Sequence, residues 1–547
     1  MPPTLSVSPA PAVPHAGAAV WQRTRLALLA VVLALPWLWP FTSGPLAAVQ
    51  PYLISAAAAA LALALWPRTA GEGALAAARG WLLAAAISSV IALLQYFDAE
   101  TPFYPWFNIA QPGQAFGNLR QPNQLATLLV IGLAALRYLA HEAAGWRRTG
   151  TGLLTALLLC GLAATASRAG LLELLLLAAA ALLWMPHGQR RRALLAALAA
   201  IAIYALAALA LPALLQAGEG VVGRSMVERL QHAESTCGSR LILWGNVAHL
   251  IAQKPWLGWG WGSLSWAHYS TLYPGARFCH LLDNAHNLPL HLAVSLGVPA
   301  AIVICALLAA LIWRARPWTE SNHVRQLAWG ILLAIGVHSM VEYPMWYGQF
   351  QTAAIICIWL LWVTRATRPT ALPAAWAAPR RIAGALLILA AVGYTGWDYM
   401  RISWLYRSPE ASGVTPWPGV LLTRARRSIL FAEEVGFAEL TTQVPTRSNA
   451  EWMLARGQRL LHYSPEPRVI TRVIESAVYL GRDDIAIEHL RRFRAAFPKD
   501  WQKWSESNER QLRQAQAALA AGQAAASMRQ PAASLPPWLL PQPQSAP

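Results

Sequence analysis

The chain has 547 residues, of which 56% are hydrophobic and only 12% charged, with mean hydropathy +0.38 and net charge +18. A soluble protein carries roughly 25% charged residues, so a water-soluble globular fold is excluded as the main architecture. In a soluble chain the positive charge would suggest nucleic acid; here much of it sits in short loops between apolar blocks, and no nucleic-acid partner is expected.

The first 20 residues are rich in Pro and Ala and read as a disordered N-terminus. About eleven apolar spans follow. They lie near 25–41, 51–66, 81–96, 123–140, 150–165, 169–185, 193–215, 287–313, 326–341, 351–364 and 382–397. Span 25–41 has no convincing cleavage site after it and reads as an uncleaved anchor. Arg23, Arg25, Arg68, Arg79, Arg137, Arg190, Arg191, Arg192, Arg314, Arg316, Arg325, Arg380 and Arg381 crowd alternate loops. The short loops between them hold only Arg120 and Arg168, so the positive-inside rule puts the arginine-rich set and the N-terminus in the cytoplasm. Trp37, Trp66, Trp81, Trp184, Trp313 and Trp362 fall near span ends, as an aromatic belt does.

Three regions are then expected outside: residues 97–122, a long loop over 216–286, and everything after 397. Helical periodicity marks 451–462, 468–480 and 484–497, and AVYLGRDDIAIEHLRRFRAAFP resembles half of a tetratricopeptide-type hairpin. The expected fold is therefore all-α: a membrane unit over 21–397, a helical outer domain over 398–513, and a low-complexity tail over 514–547. Cys160, Cys305 and Cys357 lie in spans and read as packing residues. Cys237 and Cys279 share the long outer loop, an oxidising place, and are expected to form a disulfide.

Polar residues gather at the outer ends of spans. Gly117-Asn-Leu-Arg120-Gln121-Pro-Asn123 opens span four, Ser167-Arg168 opens span six, and Arg240 opens an amphipathic segment of the long loop. Asp283, Asn284, His286 and Asn287 precede span eight; His338, Glu342 and Tyr343 end span nine, with His338 and Glu342 expected one turn apart on one helix face. Ionisable groups at that depth are costly and tend to be functional. Two arginines suit a pyrophosphate through paired planar donors, and a neutral His can take a proton from a hydroxyl. Glu173 reads as the partner of a nearby basic group, and Asp98 with Glu100 as an interfacial charge pair. Gly258-Trp-Gly260-Trp-Gly262 suits either a backbone pressed on lipid or ligand, or a tight aromatic turn at the interface. No Walker loop, dinucleotide turn, CxxC pair or HExxH helix occurs, so no cofactor and no metal is expected.

At these residues a family emerges. FGNLRQPNQLAT (116–127), TASRAG (165–170), RLILWGNVAHLIAQKPWLGWGWG (240–262), NAHN (284–287) and VEYPMW (341–346) resemble bacterial O-oligosaccharyltransferases. These are pilin-glycosylation ligases of the broader O-antigen ligase and polymerase group. The resemblance covers roughly residues 20–500 and implies a bacterial inner-membrane enzyme. Its implied donor is an oligosaccharide on undecaprenyl pyrophosphate, moved en bloc to Ser or Thr of a periplasmic, pilin-like protein. It further implies that His286 activates the acceptor and that Arg168 and Arg240 hold the pyrophosphate. Gln121 and Tyr343 match positions that line the family's site; Arg120, Asn287 and Glu342 are counted with them from their place beside it. Gln124 departs from the pattern, where His is commoner. An O-antigen polymerase, or a ligase acting on lipid A core, would use the same site. A transporter would carry midplane charges and internal repeats, and neither is seen. A scaffold would leave the membrane polar groups dispensable.

Overall fold

The computed structural model describes residues 16–141, 146–219, 237–365, 378–406 and 418–520. The start of the expected disordered N-terminus, residues 220–236 of the long loop and the end from 521 lie outside these. The fold is all-α, with no strand among the described residues. In chain order the first helices are α1 (Ala16–Leu38), α2 (Val49–Leu65), α3 (Ala70–Tyr96), α4 (Pro122–Ala140), α5 (Trp146–Ala164), α6 (Arg168–Leu183) and α7 (Arg190–Glu219). Next come α8 (Arg240–Gln253), α9 (Leu264–Ser270), α10 (Leu288–Leu296), α11 (Val298–Ala315), α12 (His323–Ser339), α13 (Gly348–Val363) and α14 (Ala378–Ser403).

Among the described residues, five helices are long and apolar enough to cross a membrane: those over 70–96, 122–140, 187–218, 298–319 and 378–406. Shorter apolar helices cover Val49–Leu65, Thr149–Ala164 and Gly348–Val363. α4 is the axis, packed by α3, α5, α6 and α12, with Leu125, Leu128, Leu129 and Ile131 fully buried. Close packing rests on small residues. A Cβ at Gly132 would lie 2.3 Å from Ala85 Cβ, and one at Gly161 would lie 2.1 Å from Ser89 Oγ. Small side chains let membrane helices approach where no hydrophobic drive separates helix from lipid.

The span expected as one piece over 287–313 is broken. α10 stops at Leu296, Gly297 takes φ 90°, and α11 starts at Val298 with Pro299 in its first turn. The break is made by another backbone. Trp259 N donates to Val294 O at 2.8 Å, Gly260 N to Ser295 O at 3.0 Å, and Val298 N to Pro255 O at 2.8 Å. A Cβ at Gly258 would sit 2.6 Å from the Ser295 carbonyl carbon. The Gly-Trp alternation thus lays one stretch of chain against another, a partner that neither reading of the run had named.

Cys237 and Cys279 are joined, with Cα atoms 5.4 Å apart and 42 residues of sequence separation. Closing a loop of that length contributes about 4 kcal/mol in the chain-entropy model. Cys237→Ser should therefore lower the thermal midpoint, and reductant should lower the parent to the same value.

After α14 the described chain forms α15 (Pro418–Ala425), α16 (Ala432–Thr442), α17 (Ala450–Tyr463), α18 (Pro467–Tyr479), α19 (Asp483–Ala496) and α20 (Pro498–Ala520). α17 to α20 pack successively around Met453, Leu460, Val473, Ile474 and Phe493, all fully buried. Asp398, 0% exposed near the end of α14, accepts from Ser428 Oγ (2.9 Å), Ile429 N (3.2 Å) and Leu430 N (3.1 Å). This ties the membrane helix to the helices that follow.

α9 provides a second tie. Tyr269 bonds His489 Nδ1 at 2.9 Å, and the Trp266 and His462 rings lie 4.2 Å apart. Burial, with the Arg492 charge second, pushes His489 down to about 4. A histidine held neutral when folded contributes stability that is complete above its ordinary value of 6.5 and lost as pH falls towards 4. The protection factors of amides in α17–α20, taken relative to their intrinsic exchange rates, should accordingly fall from pH 7 to pH 5, and His489→Gln should flatten that change.

Candidate functional site

The site is built from chain turns. The loop between α3 and α4 is organised by two buried amides. Gln95 Nε2 donates to Asn108 O (2.6 Å) and Gly117 O (3.0 Å), while its Oε1 accepts from Gly117 N (2.7 Å). Asn118 Nδ2 donates to Leu38 O (2.8 Å) and Trp106 O (2.9 Å). Arg120, at φ 61°, is turned towards α1, donating to Thr42 Oγ1 and the Pro40 carbonyl. It pins the turn and is not hydrogen-bonded to the polar cluster. With Pro122 at its start, α4 then presents Asn123 inward.

Asn123 is the first member of that cluster. Its Oδ1 accepts from Ser167 Oγ at 2.7 Å, and its Nδ2 donates to Glu342 Oε1 at 3.2 Å. Ser167 caps α6 by accepting from Gly170 N at 3.1 Å, so the exposed Arg168 beside it opens the helix. Glu342 is the hub. Its side chain, 3% exposed, also accepts from Arg240 Nη2 and from His286 Nδ1 at 2.6 Å. Burial pushes the Glu342 carboxyl up, but the His286 hydrogen bond and the Arg240 and His286 charges outweigh it, and it ends below its ordinary value.

His286 sits at φ 49°, a region that non-glycine residues seldom occupy and that clusters at functional sites. Asparagines on both sides hold it there. Asn284 Oδ1 accepts from His286 N at 2.8 Å; Asn287 caps α10 through Leu290 N (3.0 Å) and donates to Met340 O (3.0 Å). Trp244 of α8 supports the same turn through Ala285 O at 3.0 Å. Tyr343 packs edge-on against His286 with centroids 5.0 Å apart, and Tyr347 bonds both Tyr343 and the buried Gln124. Gln121 precedes α4 as its N-cap residue, half-buried, without a side-chain cap bond.

Other polar residues are assigned differently from the sequence reading. His338 and Glu342 do not share a helix face. α12 ends at Ser339, so Glu342 leaves the helical register; its N–H still reaches His338 O at 2.8 Å, while its carboxylate turns to His286. The His338 ring points into the bundle, to Thr127 Oγ1 at 2.8 Å. Glu173 meets the same hydroxyl at 2.9 Å rather than a basic group. Glu100 is fully buried and accepts from Ala110 N at 2.9 Å, so it organises its loop. Asn123 and Ser167 were missed as links, although both lie inside motif strings whose capping signals could have exposed them.

Helices able to cross a membrane, together with a cluster in which the buried Glu342 meets the half-buried Arg240 and His286, define a polytopic membrane protein with a polar cluster at one end of its bundle. The family comparisons state the class. Residues 153–305 match the family described as O-Antigen ligase, 115–140 Protein glycosylation ligase, and 326–512 Virulence factor membrane-bound polymerase, C-terminal. The chain is thus related to the O-antigen ligases and protein glycosylation ligases.

Within that class, similar curated proteins are O-oligosaccharyltransferases of Acinetobacter baylyi (strain ATCC 33305 / BD413 / ADP1). A general O-oligosaccharyltransferase is 28% identical over 275 residues, 49% of this chain and 46% of that protein. A ComP-specific O-oligosaccharyltransferase is 23% identical over 276 residues, 49% of this chain and 48% of that protein. The aligned stretch spans about half the length of these relatives.

Proposed function

We propose that the protein is an inner-membrane O-oligosaccharyltransferase moving a glycan en bloc from undecaprenyl pyrophosphate to Ser or Thr of periplasmic proteins. In this reading the Glu342 end of the bundle faces the periplasm, as the arginine asymmetry of the loops favours. The observation that carries it is the contact of one buried carboxylate with both Arg240 and His286. Because Glu342 accepts the Nδ1 proton of His286, the lone pair lies on Nε2. Nε2 takes the proton of the acceptor hydroxyl as its oxygen attacks the anomeric carbon. The bond from that carbon to the pyrophosphate oxygen breaks, and the leaving group departs with the electron pair. Arg240 spends one donor on Glu342, and its remaining N–H groups, with Arg168, hold the pyrophosphate. Arg120, Gln121, Asn287 and Tyr343 shape the surroundings, and the helices from 398 to 513 dock a pilin-like acceptor.

Arg168→Lys and Arg240→Lys keep the charge and lose the planar fork. Each should raise the donor concentration needed for half-maximal transfer about tenfold or more. Donor titration with purified protein checks this, and parental behaviour would reduce either arginine to an interfacial anchor.

The match of 326–512 to a polymerase C-terminal family supports a second reading, in which the acceptor is another lipid-linked glycan. The deciding experiment gives the purified chain undecaprenyl-pyrophosphate oligosaccharide with a Ser-bearing pilin-like protein, lipid A core and lipid-linked glycan side by side. Labelled protein supports the first reading. Label only in a lipid product overturns the protein acceptor and leaves the His286–Glu342 chemistry standing.

A further inference from the structure

The glycan chemistry makes no use of the far end of the bundle. There α2 ends at Leu65, α3 begins at Ala70, α13 ends at Val363 and α14 begins at Ala378. Arg25 of α1 donates Nε to Leu65 O at 2.8 Å and Nη2 to Trp66 O, and Arg381 of α14 donates Nη1 to the same Trp66 carbonyl. Arg68 lies close enough for its charge to act on both. Glu72, which accepts from Gln22, is the carboxylate whose charge acts on Arg25. Three guanidiniums against one carboxylate leave a local excess of two positive charges.

Arg381 is 6% exposed, and its Nε has no hydrogen-bond partner among the described residues. A carbonyl at a helix C-terminus offers only partial negative charge, and a buried cationic N–H without an acceptor is costly. Trp66 links this cluster to an apolar groove of about 150 Å³ lined by Ala59, Leu63, Trp66, Ile355, Ile356 and Trp359. The Trp66 and Trp359 rings meet edge to face at 5.0 Å. The residue whose carbonyl gathers two arginines therefore also walls the groove. A cation cluster at the mouth of an apolar groove matches a molecule with a phosphate at one end and a hydrocarbon chain behind it.

We propose that this end of the bundle binds an anionic glycerophospholipid, its phosphate on Arg25, Arg68 and Arg381 and one acyl chain in the groove between α2 and α13. Guanidinium pairs recognise phosphate oxygens through parallel hydrogen bonds, and basic pockets between membrane helices select anionic headgroups. A zwitterionic lipid brings its own cation to a site already in positive excess. Free phosphate leaves the groove unfilled.

The test uses the full chain, delipidated in detergent and challenged with equal phosphatidylglycerol and phosphatidylcholine, bound lipid being counted by native mass spectrometry. The unmodified protein should retain phosphatidylglycerol about tenfold over phosphatidylcholine. The double substitution Arg25→Gln with Arg381→Gln should bring that ratio close to one, and Ala59→Phe, which fills the groove beside intact arginines, should lower retention of both lipids. Glu342→Gln, at the opposite end, should leave the ratio unchanged. Equal retention of the two lipids by the unmodified chain overturns the proposal, whatever the variants do. Displacement of bound phosphatidylglycerol by millimolar inorganic phosphate alone also overturns it, because the groove would then add nothing.

Discussion

His286→Ala should abolish glycan transfer while the chain still expresses and inserts, and Glu342→Gln should slow transfer about 100-fold or more. Alanine removes the nitrogen proposed to receive the hydroxyl proton. Glutamine keeps nearly the same shape but presents an amide to His286 Nδ1 and to Arg240. The imidazole then loses the acceptor that fixes its tautomer, and Arg240 loses its counter-charge. Single-turnover transfer with preloaded donor separates this chemical loss from a change in donor binding. Near-parental rates in the alanine variant would falsify the base assignment.

Gly297→Ala should have the second largest effect, on the fold and through it on transfer. A Cβ there would lie 2.1 Å from Trp256 O, and φ 90° is a conformation that alanine rarely adopts. Backbone strain and overpacking together cost about 3 kcal/mol or more. The joint cannot relax by moving a side chain, because both contacting groups are backbone. α10 begins immediately after Asn287, so loosening the joint also releases the turn that carries His286. Gly336→Ala in α12, where nothing lies within 4 Å, is the matched control and should leave midpoint and transfer unchanged.

The helical architecture was legible because helices in lipid must be apolar and punctuated. The turn-rich run ending in Pro122, the Ser167-Arg168 turn and the arginine-rich loops all mark element ends locally. The grouping of polar residues was legible for a related reason, since alternate crossings bring every second set of ends to one side. What stayed hidden depends on contacts distant in sequence. Arg120 looked like its neighbours in the motif, but its partners lie about 80 residues earlier, at Pro40 and Thr42. Gly258 and Gly297 could be noticed as glycines, but only the fold brings their backbones together. Glu342 had been assigned to a helix face that ends three residues before it, and the short turn after Ser339 gives it its role. Glu173 was given a basic partner by charge reasoning; a fully buried carboxyl beside Thr127 needs only a hydroxyl.

The arrangement around Glu342 has a consequence for charge balance. In the proposed reaction, Arg240, the Glu342 carboxylate and a neutral His286 would sum to zero before transfer, so the buried carboxylate starts with its charge balanced. When His286 gains a proton the triad becomes a net cation. In the same proposed step the departing pyrophosphate would gain one negative charge. Under that proposal each half of the reaction would supply the counter-ion for the other, and no isolated charge would have to be carried by surroundings that solvate ions poorly.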